Sequence, residues 1–175
     1  MLKPGDIAPP FDLPCAVNGR LERLRLSQIS SEMVVLFFYP HDFSFICPTE
    51  VVGFHSARDA FVTEHTSIVA ASVDDADTHR RWADELGGIG YPLLADEGGA
   101  LARAYGVFSE SEGMAMRATF ILDAKRVVAY CVASAMNVGR SVSETLRIAR
   151  ALRSGRLCPA DWQPGEEFGP ADRKY

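Results

Sequence analysis

The stretch FYPHDFSFICPTE, Phe38 to Glu50, sets a single cysteine, Cys47, directly before Pro48, with Ser44 three positions earlier. A thiol does chemistry chiefly as the thiolate, so its surroundings decide whether it is a nucleophile. The apolar run MVVLFFY precedes the stretch and an amphipathic pattern follows it. Proline is tolerated in the first turn of a helix and not in its interior. Cys47 is therefore expected at a helix N-terminus, where unpaired N–H groups and the positive end of the helix dipole favour a negative sulfur. The competing reading is a buried, inert cysteine, since cysteine is among the most buried residue types. Ser44, which offers a hydroxyl to the same pocket, and Pro40, which ends the preceding strand, tip the balance towards chemistry.

Composition narrows the possible partners. A formal charge of −5 and a pI near 5.4 argue against nucleic acid or an anionic membrane. The longest apolar run, Met33–Tyr39, is far too short to span a bilayer. MLKPGDIAPPFDLP has prolines and acids where a signal peptide needs an apolar core, so a reducing cytoplasm is expected. Of Cys15, Cys47, Cys131 and Cys158, no two form C-x-x-C. That speaks against a zinc ribbon or a dithiol redox motif. His41, His55, His65 and His79 never meet a cysteine at metal-ligand spacing, and each reads as solvated or locally bonded. No metal and no cofactor are expected.

The elements that must position Cys47 follow from periodicity. MVVLFFY (33–39) and SIVAASVD (67–74) read as buried strands. Val51, Phe54, Phe61 and Val62 recur between them at helical spacing, which predicts one amphipathic helix and a βαβ crossover with parallel strands. Asp77 is expected to cap a second helix running to Leu86 and ending at Gly87-Gly88. A short strand over Pro92–Ala95 and a short helix from Gly99 to Tyr105 come next. MRATFILD (116–123) and VVAYCVAS (127–134), separated by three residues, must form an antiparallel hairpin. Ser141 and Glu144 form a capping box for a last helix that stops at Gly155. The tail from 156 to 175 is rich in Pro, Gly and charge, and is expected to be extended and mobile. The sum is one α/β domain with a mixed central sheet flanked by helices.

Pro40-x-x-x-Ser44-x-x-Cys47 within FFYPHDFSFICPTE closely resembles the active-site signature of the peroxiredoxins. With Pro48-Thr49-Glu50 it is similar to the typical two-cysteine subgroup that includes the alkyl hydroperoxide reductase C subunit. KPGDIAPPF, HRRWADELGG, RATFILD, VGRSVSETLR and LCPADWQPGE resemble family segments in the same order, so the likeness covers most of the chain. The departures are local: His41 stands at a variable position, and Ser44 where many relatives carry threonine.

The resemblance implies a thioredoxin-like fold and attack of a cysteine thiolate on a hydroperoxide, leaving a sulfenic acid. It assigns Cys47 as the peroxidatic cysteine and Cys158, in LCPADW, as the resolving one. Pro40, Ser44 and Arg117 complete the catalytic set, and Glu50, Arg140, Tyr39 and Trp82 support it. A thiolate alone is insufficient, because a lower pKa weakens the nucleophile, so donors must be aimed at the breaking O–O bond. Arg117, on an apolar strand, would be costly to bury without an anionic partner. Cys158 is implied to come from a partner subunit, giving a homodimer, with a decamer also implied. The implied reductant is thioredoxin or a dedicated flavoprotein disulfide reductase. Trp162 anchors the tail either on the neighbour or on its own chain. Cys131 reads as inert core and Cys15 as a surface bystander. Phe168 and Tyr175 are too far apart to form the Tyr-Phe helix that covers the active site of peroxide-sensitive relatives. Gly87-Gly88-Ile89-Gly90 resembles the companion loop of those relatives, although a helix-terminating turn accounts for it equally.

Other functions explain less. A thiol–disulfide oxidoreductase needs a second thiol two residues on or so, where Glu50 stands. A cysteine hydrolase would have to use His41 as base without an evident orienting partner. A redox sensor or holdase scaffold would leave the catalytic set unexplained.

Overall fold

Six consecutive apolar residues, MVVLFF, become an interior strand of the sheet because both of their faces are covered. Met33, Val35 and Phe37 pack into one hydrophobic cluster, and Val34, Leu36 and Phe38 into another on the opposite side. The computed structural model describes residues 1–171. In chain order these form β1 (Asp12–Val17), β2 (Arg20–Arg25), β3 (Met33–Phe38), α1 (Cys47–Ser56), α2 (Arg58–Thr63), β4 (Thr66–Ser72) and α3 (Ala76–Glu85). There follow β5 (Leu93–Ala95), α4 (Ala100–Ala104), β6 (Phe108–Ser109), β7 (Met114–Ala115), β8 (Arg117–Leu122), β9 (Val128–Ser134) and α5 (Val142–Ser154).

One seven-stranded sheet runs in the order β2-β1-β5-β4-β3-β8-β9, beside a small β6-β7 ribbon. β3, β4 and β5 are parallel, as a βαβ crossover requires, whereas β8 pairs antiparallel with both β3 and β9. Alternation along each strand assigns residues to faces. Residues of α1, α2, α3 and α5 cover the Phe37 face, and residues of α4 with the N-terminal segment cover the Phe38 face.

Several local expectations are corrected. The single helix expected between the first two strands is broken at Ala57 (φ −89°, ψ 0°) into α1 and α2. The break keeps Phe54 and Phe61 buried but turns Val62 out to solvent, 57% exposed. The cap of α3 is Asp75, whose carboxylate accepts from the Thr78 N–H at 2.8 Å, while Asp77 lies in the first turn. Asp75 has the extended backbone a cap requires (φ −75°, ψ 162°), a condition that spacing alone does not reveal. Ser141 caps α5 by accepting from the Glu144 N–H at 3.1 Å, but the Glu144 carboxylate pairs with Arg147 at 2.6 Å instead of closing the box. Gly155 ends α5 in the left-handed conformation, φ +62°.

The N-terminal hairpin β1-β2 escaped sequence reasoning. Its Asn18-Gly19 turn has positive φ at both residues, as a tight hairpin demands, but RLERLR carries alternating charge on an exposed edge. Cys15 lies on β1, 1% exposed, and is no surface residue; burial pushes its thiol up to about 11. Cys131 lies on β9, half-buried and packed against the core. The tail is not simply extended. Trp162 is buried against its own chain, stacks on Phe168 with centroids 5.1 Å apart, and donates from Nε1 to the Glu166 carbonyl at 3.2 Å. Arg147 donates to the Trp162 carbonyl at 3.0 Å, which ties the turn to α5. Burying this aromatic pair outweighs the flexibility implied by the tail's composition. Tyr175 lies outside the described residues, and among those residues no helix follows α5.

The second half of α1 is fixed by stacking of Phe54 on Phe37, with centroids 4.4 Å apart and planes at 19°. We expect Phe54→Ala to destabilise the reduced protein by about 3–5 kcal/mol, the usual cost of emptying a buried phenylalanine site. Urea unfolding monitored by circular dichroism measures it, and a loss below about 1 kcal/mol would contradict this anchoring.

Candidate active site

The register of β8 against β3 decides what can reach Cys47. Phe38 pairs with Ala118, so β8 begins where β3 ends. Ala118, Phe120 and Leu122 then face one core cluster and Ile121 the other, which sets Arg117 and Thr119 on the α1 face. Pro48 occupies the first turn of α1, and Cys47 is its first residue. The Cys47 N–H donates to Ser44 Oγ at 3.3 Å. Ser44 thus satisfies one of the free amides at the helix start, and its own hydroxyl proton is left to donate elsewhere.

Glu50 stands three residues after Cys47 on the same helix face. Its carboxylate accepts from Arg117 Nη1 at 2.6 Å, and from Arg140 N, Nε and Nη2 at 2.8, 2.8 and 3.0 Å. Arg117 Nη1 also lies 3.4 Å from Cys47 Sγ, and its Nε donates to the Met136 carbonyl at 2.8 Å. Arg140 Nη1 donates to the Ala118 carbonyl at 2.6 Å and to Thr119 Oγ1 at 3.2 Å. Cys47, Glu50, Arg117 and Arg140 are all buried. Two guanidinium groups against one carboxylate leave one positive charge beside the Cys47 sulfur.

Burial acts to raise the Glu50 carboxyl, but the hydrogen bonds and charge of Arg140, with the charge of Arg117, hold it below the usual carboxylate range. Tyr39, wholly buried, is pushed well above the usual phenol range by burial and by the nearby Asp42 charge, and so remains a donor. Its hydroxyl donates to Asp42 Oδ1 at 2.8 Å, and its ring stacks on Trp82 with centroids 5.8 Å apart. Pro40 is buried between Tyr39 and the loop that carries Ser44, and His41 is exposed.

The structure thus brings together Cys47, Ser44, Glu50, Arg117 and Arg140, with Tyr39, Pro40 and Trp82 behind the loop. Cys158 stands apart. Its sulfur lies 3.6 Å from Ser154 Oγ, 3.9 Å from the Ala151 carbonyl and 3.7 Å from the Arg156 carbonyl. These partners come from the end of α5 and the start of the tail, and none touches Cys47. Both cysteines are free thiols. Sequence reasoning missed Asp42 and His79, which are buried behind the loop, although Asp42 lies within the stretch that drew attention first.

Because the folded-state pKa of Glu50 is lowered, its contribution to stability is present above the unfolded value, about 4.3 for glutamate, and is lost as pH falls through the folded value. Glu50→Gln leaves two buried guanidinium groups without their carboxylate, which should cost about 3–5 kcal/mol at pH 7. The gap between the variant and the unmodified protein should narrow as pH drops below about 4. Urea unfolding across this pH range tests both statements, and a pH-independent gap would contradict them.

The chain matches the AhpC/TSA family model over residues 4–131. Peroxiredoxin-4 of Bos taurus is 39% identical over 91% of this chain, which spans 62% of that protein's length. The thioredoxin peroxidase of Echinococcus granulosus is 38% identical over 95% of this chain and 92% of its own. The reduced 2-Cys peroxiredoxin of Plasmodium vivax superposes with a TM-score of 0.88 at 31% identity, covering 94% of this chain and 91% of that one. The sheet order, the thiol at the head of α1 and the arginine-bridged carboxylate behind it occur in a chain that these proteins match nearly end to end. The chain belongs to the AhpC/TSA family, the peroxiredoxins, which are thiol-dependent peroxidases of thioredoxin-like fold.

Proposed function

We propose that this chain reduces hydrogen peroxide and alkyl hydroperoxides with Cys47 as the attacking thiolate and Cys158 of a second copy as the resolving thiol. The observation that carries the first half is the placement of Arg117 Nη1, 3.4 Å from Cys47 Sγ and 2.6 Å from Glu50 Oε2. A cation held rigid by Glu50 and the Met136 carbonyl, with no protein partner for Nη2 among the described residues, can donate to a peroxide oxygen as charge develops on it. In the attack an S–O bond forms and the O–O bond breaks. The departing oxygen leaves as alcohol or water once it has taken up a proton, and Cys47 becomes a sulfenic acid. Ser44, with its hydroxyl proton free, is the second donor to the bound peroxide.

The Cys158 thiol then attacks the sulfenic sulfur, forming a disulfide and expelling water. A disulfide needs Cα atoms within about 7 Å, and the two sulfurs occupy separate neighbourhoods of one chain. Supply of Cys158 by a partner subunit answers this need and makes a homodimer the working unit; rings of five dimers follow the family habit. Thioredoxin or a flavoprotein disulfide reductase returns the disulfide to thiols, and a reducing cytoplasm suits such a cycle. Replacing Cys47 with Ser should abolish peroxide consumption. Cys158→Ser should consume one equivalent and then stall with thioredoxin. Oxidised protein should run as a disulfide-linked dimer on a denaturing gel, with peptide mapping joining Cys47 to Cys158. Peroxide turnover by the Cys47→Ser protein would overturn the assignment, and a wholly monomeric oxidised protein would refute resolution by the partner.

Resolution requires Cys47 to leave its pocket, and three features favour easy opening. The Gly87-Gly88 turn ends α3 by donating to Asp84 and Ala83 carbonyls. Beyond it, Gly90 donates to His55 Nδ1 at 3.1 Å and the Tyr91 hydroxyl to the Val51 carbonyl at 2.7 Å. These bonds, with those that Arg117 and Arg140 make to Glu50, fix α1 from Glu50 onward and leave Cys47 and the loop before it to open. Among the described residues the tail lays no helix over the first turn of α1, an arrangement that supports capture of the sulfenic acid by Cys158 ahead of a second peroxide. We expect sustained turnover at millimolar peroxide, followed by peroxide consumption with mass spectrometry of Cys47. Rapid inactivation at sub-millimolar peroxide with sulfinic acid on Cys47 would contradict it.

A further inference from the structure

Between β3 and α1 the chain crosses from Tyr39 to Ile46 with no regular structure, yet this segment presents both Ser44 and Cys47. Something other than a ladder of backbone bonds must hold it. Asp42 is 2% exposed, and a carboxylate so buried is tolerated only with donors around it. Tyr39 Oη donates to its Oδ1 at 2.8 Å, and its own N–H donates to Asp74 Oδ2 at 2.9 Å. Its Oδ2 lies 2.8 Å from His79 Nδ1. The His79 ring is fully buried, and its Nε2 lies 3.0 Å from the Leu94 carbonyl. A carbonyl oxygen can only accept, so Nε2 carries a proton. The imidazole is thus fixed to strand β5 at one nitrogen and grips the loop through Asp42 at the other.

The next residue, Phe43, shows that the grip is under load. It has φ +53°, a left-handed conformation that costs a bulky side chain about 1–3 kcal/mol and persists only where its surroundings enforce it. Its ring is 53% exposed, so burial does not enforce it. What surrounds it is the Asp42 clamp on one side and Trp82, with centroids 6.3 Å apart, on the other. His79 and Trp82 are one turn apart on α3, so a single helix face holds both sides of the strained residue. Asp42, Asp74 and His79 place donor atoms within 4.8 Å of one another, but every one of them is already hydrogen bonded within the cluster, which fits a clamp better than a metal ion.

We propose that His79 is a positioning residue for peroxide reduction: through Asp42 it fixes the loop that sets Ser44 and Cys47 against Arg117, without touching the reacting atoms itself. This rests on Cys47 being the peroxidatic thiol. Releasing the clamp relaxes Phe43 and lets the Cys47–Ser44 contact wander. Misplacement on the scale of an ångström slows an attack that depends on alignment by about tenfold to a hundredfold. Opening of the loop towards Cys158 becomes easier at the same time, so the two chemical steps respond in opposite directions. Loss of stability alone would not produce that split.

The test uses the full chain with His79→Asn, His79→Gln and His79→Ala, each checked for folding by circular dichroism. Stopped-flow fluorescence then separates oxidation by hydrogen peroxide from disulfide formation. An asparagine amide reaches the Nδ1 position and can donate to Asp42, whereas glutamine reaches the Nε2 position and can donate only to the Leu94 carbonyl. We expect His79→Ala and His79→Gln to slow oxidation by about tenfold or more while disulfide formation is as fast or faster. His79→Asn should recover most of the oxidation rate. Equal rates for Asn and Gln, an unchanged rate in folded His79→Ala, or equal slowing of both steps would overturn the proposal. If His79→Ala does not fold, the contrast between Asn and Gln decides. The Cys47→Ser protein is run alongside: peroxide consumption there refutes the assignment of the thiol, and is distinguishable from failure of the clamp.

Discussion

The arrangement around the Cys47 thiol depends on one buried carboxylate. Glu50 ties together three segments distant in sequence: the start of α1, the first residue of β8 and the turn before α5. Each of its guanidinium partners would be prohibitively costly to bury alone. Four hydrogen bonds to two oxygens make the combination tolerable, and the Met136, Ala118 and Thr119 oxygens take further donors, leaving Arg117 Nη2 without a protein partner among the described residues. The packing around it is correspondingly tight. A Cβ on Gly139 would meet Ile46 Cγ2 at 3.3 Å and Glu50 Cγ at 3.8 Å, so a larger residue before Arg140 would have to displace the Ile46 side chain. With native proteins stable by only about 5–15 kcal/mol, removing one member of such a set is a large fraction of the whole.

That constraint explains how a positive charge can be kept beside the sulfur without drifting into a closer pairing of its own. Arg117 is pinned at Nε by a carbonyl and at Nη1 by Glu50, so its approach to Cys47 is determined by the fold rather than by the sulfur. Electrostatic help of this preorganised kind needs no rearrangement when charge moves during reaction. Aspartate and histidine serve the loop on the other side of Cys47 in a comparable way, with polar atoms buried only because each finds a partner.

The same molecule separates rigid from movable parts. Phe54 on Phe37, and the bonds from Gly90 and Tyr91, secure α1 beyond its first turn. The tail is held by Trp162 and Phe168 rather than by a helix or strand, so Cys158 sits on a segment with few backbone bonds to the sheet. The charge cluster is thus fixed by side chains from three segments, and the tail by a single aromatic pair.

Local pattern was enough for much of this. MVVLFF could only be a doubly covered strand, Pro48 placed Cys47 at a helix start, and the short link after FILD demanded a hairpin. The residues that match the peroxiredoxin signature, Pro40, Ser44 and Cys47, were equally legible, as were Arg117 and Glu50 by resemblance. Each of these readings depends on neighbours within a turn or a strand. What remained hidden depends on pairs far apart in the chain. Asp42 meets His79 across 37 positions and Arg117 meets Glu50 across 67, and no periodicity reports such distances. Cys15 lies in a hairpin whose outer strand is charged, so only the sheet order revealed its burial. The tail's composition suggested an extended chain, but a buried tryptophan folds it back on α5, because a few large aromatic contacts outweigh the average character of many small residues. Sequence by itself determined where a thiol meets a helix start and which elements carry it. Tertiary structure alone decided how charge is balanced around that residue and what holds it in place, since burial and long-range pairing exist only once the chain has closed on itself.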